Sequence, residues 1–140
     1  MHIREFKTAD SEEVIDLWHA CELTRPWNDP QRDIQRKLDV DDKLFLVGVD
    51  SNNKIIASVM GGYDGHRGWM NYLAVSPEHQ RQGLATQLVR CVEEKLTALG
   101  CPKLNLQIRT DNIVVQAFYK ELGFGVDDAV SMGKRLIPDE

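Results

Sequence analysis

The hexad Gln80-Arg81-Gln82-Gly83-Leu84-Ala85 lies between an apolar run and a long amphipathic pattern, and it constrains the fold more than any other feature. The run over residues 69–75 predicts a buried strand, and the pattern that continues to Leu99 predicts a helix. A turn between them leaves unpaired N–H groups at the positive end of the helix dipole. Because Gly83 and Ala85 are small, an anion can approach the backbone. The turn therefore predicts a binding site for a phosphorylated cofactor.

The rest of the chain alternates between strand and helix periodicities. The further predicted strands cover residues 2–6, 44–49, 54–63 and 104–108, and residues 124–136 read as a closing pair of strands. Further helices are predicted after Asp10, after Asp29-Pro30 to about Leu38, and after Asn112. This order predicts an α/β fold with a mixed, twisted sheet and helices on both faces.

Three details of the helices are specific enough to test. Asp10 and Glu13 have the spacing of a capping box. The helix after the hexad is predicted to bury a stripe that ends at Leu99. In the last helix the predicted core stripe leaves Tyr119 on another face, shared with Asn112. That stripe consists of Val114, Ala117, Phe118 and Leu122.

The strand, the spacing Gln80-x-x-Gly83-x-Ala85 and the following helix resemble the pyrophosphate-binding motif of the GNAT N-acetyltransferases. The resemblance runs through essentially the whole chain. The other segments that carry it are Asn112, Tyr119, Gly123-Phe124 and, for the small bacterial YpeA-type branch, residues 25–30 and 60–67. It implies a single GNAT-like domain over residues 1–140, with about six to seven strands and about four helices.

The resemblance also implies an acetyl-CoA-dependent N-acetyltransferase, in which a primary amine attacks the thioester directly in a ternary complex. Leu73 and Val75 would pair with the pantetheine arm, which requires a bulge or splay in the sheet. Tyr119 would be the general acid for the departing thiolate. The full set assigned to acetyl-CoA or coenzyme A is Leu73, Val75, Gln80, Arg81, Gln82, Gly83, Ala85, Thr86, Asn112 and Tyr119.

Alternatives to these assignments stay open. Tyr119 also fits an amphipathic tyrosine at the core edge, and Asn112 fits a helix cap. The alternative function is a catalytically weak sensor that binds coenzyme A or acetyl-CoA, and a third is an unrelated α/β protein that binds a phosphorylated ligand. Tyr119 separates the first two functions, because a sensor has no need of a proton donor.

Acyl transfer also needs an uncharged amine, and a lysine amine with a pKa of ~10.4 is mostly protonated at neutral pH. The candidates for a general base are Glu22, Asp29, Asp64 and His66. Each has an ordinary alternative: a helix cap for Asp29, a turn residue for Asp64, and solvated surface for the other two. The sequence therefore names no single base.

Two loops concentrate aromatic, basic and amide groups, and the resemblance puts both at the acceptor side. The candidate acceptor residues are Arg25, Trp27, Asn28, Tyr63 and Arg67. Aromatic walls with an arginine suit a small polar substrate. The acceptor amine itself, whether of a metabolite or of a protein or peptide, is left open.

Composition limits the partners. The formal net charge of −5 argues against nucleic acid, whose partners usually carry a clustered basic face. No run approaches the roughly 20 apolar residues that span a bilayer, so no membrane partner is expected. The three cysteines form no Cys-x-x-Cys pair, which favours reduced thiols in a cytoplasmic protein and no metal. A homodimer is left open.

Overall fold

The computed structural model describes residues 1–139, and its centre is one mixed five-stranded sheet. Neighbouring strands follow the chain order, antiparallel from β1 to β4, with β5 parallel to β4. The strands are β1 (His2–Glu5), β2 (Phe45–Val49), β3 (Ile55–Tyr63), β4 (Gly68–Val75) and β5 (Leu104–Asn105). The α-helices in this part of the chain are α1 (Ser11–Ala20), α2 (Pro30–Val40), α3 (Leu84–Ala98) and α4 (Ile113–Glu121).

The sheet has a hydrophobic cluster on each face, as the predicted α/β fold requires. On one face, α1 and α2 contribute Val14, Leu17, Trp18 and Ile34. On the other face, α3 contributes Leu84, Leu88, Val89, Val92 and Leu96, and α4 contributes Tyr119. Helices on both faces and four α-helices confirm the predicted architecture.

The strand count is lower than the predicted six to seven, because residues 124–136 form no strand. Their apolar side chains do not reach the core: Val130 and Met132 are 87% and 90% exposed. The strand predicted over residues 104–108 is also shorter and ends at Asn105. Its alternation is nevertheless real, since Leu104, Leu106 and Ile108 all pack against the core.

The predicted capping box of α1 is wrong, although the helix does begin directly after Asp10. The Asp10 carboxylate accepts hydrogen bonds from the Arg4 guanidinium at 2.7 Å and the Lys7 N–H at 2.8 Å. Glu13 reaches the sheet instead, where it accepts from the N–H of Ile55 at 3.2 Å. Both carboxylates therefore bind groups outside α1 and do not cap the helix.

The predicted core stripe of α4 is half right: Phe118 and Leu122 pack against the core. Val114 is 82% exposed and Ala117 lies at the surface. Val115 and Tyr119 take their places on the face toward the core, each at helical spacing from Phe118 or Leu122. Tyr119 is therefore part of the stripe rather than on a separate face, and Asn112 is not on its face but precedes the helix. At the end of α3, Leu99 is 56% exposed and not buried as predicted.

Candidate active site

A bulge interrupts β4 halfway along its length. Ser58 pairs with Ala74, but Met60 pairs with Asn71, so β4 carries one more residue than β3 between these pairs. Tyr72 lies in the bulge with φ of +53°, a left-handed conformation that is rare for a bulky residue. Bulges of this kind redirect a strand and commonly lie beside functional sites.

Buried hydrogen bonds and a ring stack hold the bulge. The indole N–H of Trp18 donates to the hydroxyl of Ser58 at 2.9 Å, and this hydroxyl donates to the carbonyl of Tyr72 at 3.0 Å. The rings of Trp18 and Tyr72 are stacked with centroids 3.8 Å apart. Because Trp18 and Ser58 are fully buried, the strained residue is fixed by its surroundings.

The sheet splays at the same place. β5 pairs with β4 only at Gly68 and Trp69. Beyond Trp69, β4 has no strand neighbour on this side within residues 1–139. Bulge and splay are the two departures from regular pairing that an added pantetheine arm requires along Leu73 and Val75. At its end, the carbonyl of Val75 accepts from the thiol of Cys21 at 3.3 Å.

The turn after β4 presents backbone rather than side chains. Arg81 and Gly83 have φ of +64° and +78°, and Gly83 directly precedes α3 without any side-chain cap from the described chain. A Cβ at Gly83 would meet nothing within 4 Å, so the approach to the helix end is open. The side chain of Gln80 donates to the carbonyl of Val75 at 3.2 Å, which ties the turn to β4. This geometry can hold a phosphate.

The other residues assigned to the turn differ in exposure. Arg81 and Gln82 are exposed, while Ala85 and Thr86 in the first turn of α3 are half-buried. Arg81 is thus placed to contribute charge from solvent, and the small side chain of Ala85 packs against the core. Residues 80–83 and the first turn of α3 therefore present backbone groups to a ligand, as the sequence predicts.

Tyr119 is 7% exposed and packs edge-on against Phe118 and Phe124, with centroids at 5.0 and 5.3 Å. Burial raises the pKa of Tyr119 to about 12, so the phenol is neutral at physiological pH. Tyr119 lines a cleft of about 700 Å³ between β5, α4 and residues 123–131. The turn at Gln80 is not part of this cleft.

Asn112 is a helix cap. Its side-chain oxygen accepts from the N–H of Val115 at 3.2 Å, and the residue is exposed. This contact confirms the capping alternative that the sequence left open. A role for Asn112 toward a cofactor stays a prediction.

The candidate bases divide into two with structural roles and two at the surface. Asp29 caps α2 by accepting from the N–H of Gln31 at 2.9 Å. Asp64 accepts from the N–H groups of Arg67 and His66 at 2.7 and 2.8 Å, and these bonds lower the pKa of Asp64. Glu22 and His66 are exposed. The cap and turn alternatives are thus confirmed for the two aspartates.

The candidate acceptor residues fall into two separate places. In the loop before α2, Trp27 is 53% exposed and, with Asn28, lines a groove of about 690 Å³ that also contains Arg36. The guanidinium of Arg25 bonds carbonyls of its own loop. Tyr63 ends β3, and Arg67 directly precedes β4. Both therefore lie at the hairpin before β4 and not at the turn of residues 80–83 that follows β4.

The described polar contacts of the hairpin reach its own turn and the residue pair just after α3. The hydroxyl of Tyr63 is 3.5 Å from the carbonyl of Gly100, and the guanidinium of Arg67 donates to the carbonyl of His66 at 3.0 Å. None of these described contacts joins Tyr63 to Trp27, so a shared aromatic lining of the acceptor site stays a prediction. A role of the hairpin in acceptor choice stays a prediction.

Sequence reasoning missed a polar cluster beside the bulge. The hydroxyl of Tyr72 donates to the carboxylate of Asp33 on α2 at 2.6 Å. Burial and this carboxylate raise the pKa of Tyr72. Arg36, one helical turn on, contacts Asp33 at 3.2 Å. The i, i+3 spacing of Asp33 and Arg36 was visible in the sequence, but the positive φ that brings Tyr72 to them was not.

Fold, splayed strand and open turn together define an α/β protein with an open anion-binding turn, and comparisons with known proteins identify its family. The Acetyltransferase (GNAT) family model matches residues 12–124. A protein of Yersinia pestis (strain Pestoides F) described as an acetyltransferase is 51% identical over 140 residues, which cover 100% of this chain and 99% of the relative. An acetyltransferase of Yersinia enterocolitica is also 51% identical over 140 residues, with the same coverage.

Solved structures show the same fold at low sequence identity. An aminoglycoside 6'-N-acetyltransferase from Acinetobacter haemolyticus has a TM-score of 0.73 and 19% identity, over 98% of this chain and 99% of that chain. Glucosamine-6-phosphate N-acetyltransferase from Arabidopsis thaliana has a TM-score of 0.70 and 19% identity, over 97% and 98%. These two structures support the fold and not a substrate.

The chain belongs to the GNAT acetyltransferase family and is an N-acetyltransferase. The family uses acetyl-CoA as cosubstrate and acts on amine acceptors. Among residues 1–139, no group of three or more His, Cys, Asp or Glu side chains is arranged to hold a metal ion. None of the helices in that range has the length and apolar character needed to cross a membrane.

Proposed function

We propose that this chain moves the acetyl group of acetyl-CoA to a primary amine by direct attack, without a covalent enzyme intermediate. The observation that carries the proposal is the open turn before α3, where Gly83 has positive φ and no side chain of residues 1–139 caps the helix. A pyrophosphate there would accept from the N–H groups of residues 82–86 and face the positive end of a 15-residue helix.

From the turn, the pantetheine arm would run back along β4, where β5 has separated from it. Leu73 and Val75 lie on this stretch, and the Tyr72 bulge marks the point where the strand changes direction. An amide chain can pair with a strand edge as a further strand does. The thioester would then lie near the bulge, with the cleft that contains Tyr119 on one side.

Attack of the amine nitrogen on the thioester carbonyl forms the C–N bond and breaks the C–S bond, and the amine gives up a proton to solvent. Tyr119 would face the departing sulfur. A thiol ordinarily titrates near ~8.5, so complete transfer of a proton from a phenol of pKa about 12 is uphill. We therefore assign Tyr119 as a hydrogen-bond donor that stabilises the developing thiolate and leaves final protonation to solvent.

Thiol release from acetyl-CoA across a panel of primary amines, with mass detection of the acetylated product, tests this function. The proposal expects amine-dependent release of one thiol per acetylated amine. Coenzyme A binding by calorimetry, without turnover on any amine of the panel, would instead favour the sensor alternative. A protein that neither binds coenzyme A nor turns over would contradict both.

A further inference from the structure

A carboxylate of the chain itself occupies a site at the start of α2. One oxygen of Asp139 accepts from the backbone N–H of Asp29 at 2.8 Å, and the other accepts from the guanidinium of Arg36 at 2.6 Å. The side chain of Asp139 has 0% exposure. The bond from Arg36 lowers the pKa of Asp139 to about 2, so the group is an anion at neutral pH. Arg36 and the N–H of Asp29 therefore hold the carboxylate of Asp139 at the start of α2, beside the capping carboxylate of Asp29 itself.

The segment that brings Asp139 to this site adds little packing. Val126, Val130, Met132 and Leu136 are 81%, 87%, 90% and 84% exposed. Near the site, the other contacts are polar, such as the bond from Arg135 to the side-chain oxygen of Asn28. Because charge rather than apolar burial holds Asp139, an outside carboxylate can compete for the same donors.

A position that favours a cation lies next to this site. Arg36 contacts Asp33 at 3.2 Å, and the second oxygen of Asp33 accepts from the hydroxyl of Tyr72 at 2.6 Å. A carboxylate and a phenol oxygen together suit an ammonium group, which must lose a proton to solvent before its nitrogen can attack the thioester. Tyr72 is the residue of the β4 bulge, beside which the thioester is proposed to lie. The guanidinium group of Arg36 thus lies between the position of the Asp139 carboxylate and the position that suits an ammonium group.

We propose that the acceptor is an amine that also carries a carboxylate. Its carboxylate replaces Asp139 at Arg36 and the N–H of Asp29, and its amine lies at Asp33 and Tyr72 near the bulge. Asp139 closes this site in the free protein. The identity of the acceptor rests on the proposed acetyl transfer, but the binding of a carboxylate to Arg36 and the N–H of Asp29 does not.

Binding of acetate to the Asp139→Ala protein tests the site without acetyl-CoA. The probe is sodium acetate, with acetamide as its neutral match, and the readout is the NMR shift of the Asp29 amide. We expect acetate but not acetamide to shift this amide, with an affinity ~10-fold or more above that of the wild type, where Asp139 competes. Arg36→Gln in the same background should abolish the response.

Arg90→Gln removes an equal charge from α3, where Arg90 pairs with Glu93 at 3.7 Å, and it should leave acetate binding unchanged. Equal responses to acetate and acetamide would overturn the inference. Equal acetate affinity in wild type and Asp139→Ala, or no effect of Arg36→Gln, would also overturn it and make Asp139 a structural contact only.

A second arm compares thiol release for 4-aminobutyrate with n-butylamine, and for the peptide Ala-Glu-amide with Ala-Gln-amide. We expect the carboxylate-bearing member of at least one pair to have a KM ~10-fold or more lower, and this preference to be lost in Arg36→Gln. The pair that responds distinguishes a small metabolite from a peptide side chain. Turnover with no preference in either pair overturns the inference alone, whereas acetate binding without any turnover overturns only the proposed acetyl transfer.

Discussion

The turn at residues 80–86 and the start of α2 are both suited to anions, but the groups that would bind an anion differ between them. The turn offers backbone N–H groups, has exposed side chains at Arg81 and Gln82, and no side-chain cap. The start of α2 offers charged side chains that already pair with one another, such as Arg36 with Asp139. Backbone groups suit a cofactor that is the same in every reaction, whereas side chains can select one acceptor among several. The comparison therefore predicts that cofactor and acceptor binding can be altered separately.

The largest expected effect lies outside both regions, at Tyr119. Tyr119→Phe keeps the ring and its edge contacts with Phe118 and Phe124 and removes only the hydroxyl. We expect kcat to fall by ~10²–10³ with little change in coenzyme A affinity, because one hydrogen bond to the developing thiolate is lost. Steady-state kinetics with a turned-over amine, beside calorimetry, measures both. A normal kcat would make Tyr119 purely structural.

Stability at alkaline pH reports the same hydroxyl independently of activity. Below pH ~10 the phenol is protonated in both folded and unfolded chains. Between ~10 and about 12 the unfolded chain releases the proton and the folded chain keeps it, so the free energy of unfolding falls as pH rises. A two-unit shift corresponds to ~3 kcal/mol.

Denaturant unfolding between pH 9 and pH 12, in roughly half-unit steps, should show a smaller alkaline loss in Tyr119→Phe than in wild type. Tyr72, whose pKa is also raised, contributes to the loss that remains. Identical curves for wild type and Tyr119→Phe would mean that the hydroxyl is not buried as described.

The bulge is expected to depend on Ser58. Ser58→Ala leaves the buried indole N–H of Trp18 and the carbonyl of Tyr72 without this partner, which should cost ~1–3 kcal/mol of unfolding free energy. Urea unfolding measures the cost, and Ser51→Ala in an exposed turn is the matched control. Equal stability of the two variants would show that the network does not hold the bulge.

The smallest expected effect distinguishes the loop before α2 from the hairpin between β3 and β4 as the segment that binds the acceptor. Trp27→Ala should raise KM for the amine ~10-fold and leave KM for acetyl-CoA nearly unchanged, because Trp27 lines the groove that contains Arg36. Arg67→Ala tests the hairpin in the same assay. If Arg67→Ala raises the amine KM and Trp27→Ala does not, the acceptor binds at the start of β4 and not beside α2.

The two regions also differ in how far the sequence predicts them. The turn could be located from the sequence because its strand, hexad and helix are contiguous, and local geometry fixes the exposed backbone. The proposed acceptor site could not, because Tyr72 reaches Asp33 through the β4 bulge, and Asp139 reaches Arg36 through the path of residues 125–139. The predicted closing strands over residues 124–136 are absent for a related reason, because a segment forms a strand only where it pairs with a partner edge.

Coenzyme A binding to Gly83→Val and Gly100→Val tests the central claim most directly. Both glycines have positive φ, at +78° and +86°, and a Cβ at either meets nothing within 4 Å, so the backbone strain is matched at opposite ends of α3. Calorimetry should give a coenzyme A affinity at least ~10-fold lower for Gly83→Val and near wild type for Gly100→Val, because only the first crowds the phosphate position. Equal affinity in the two variants would contradict cofactor binding at the turn.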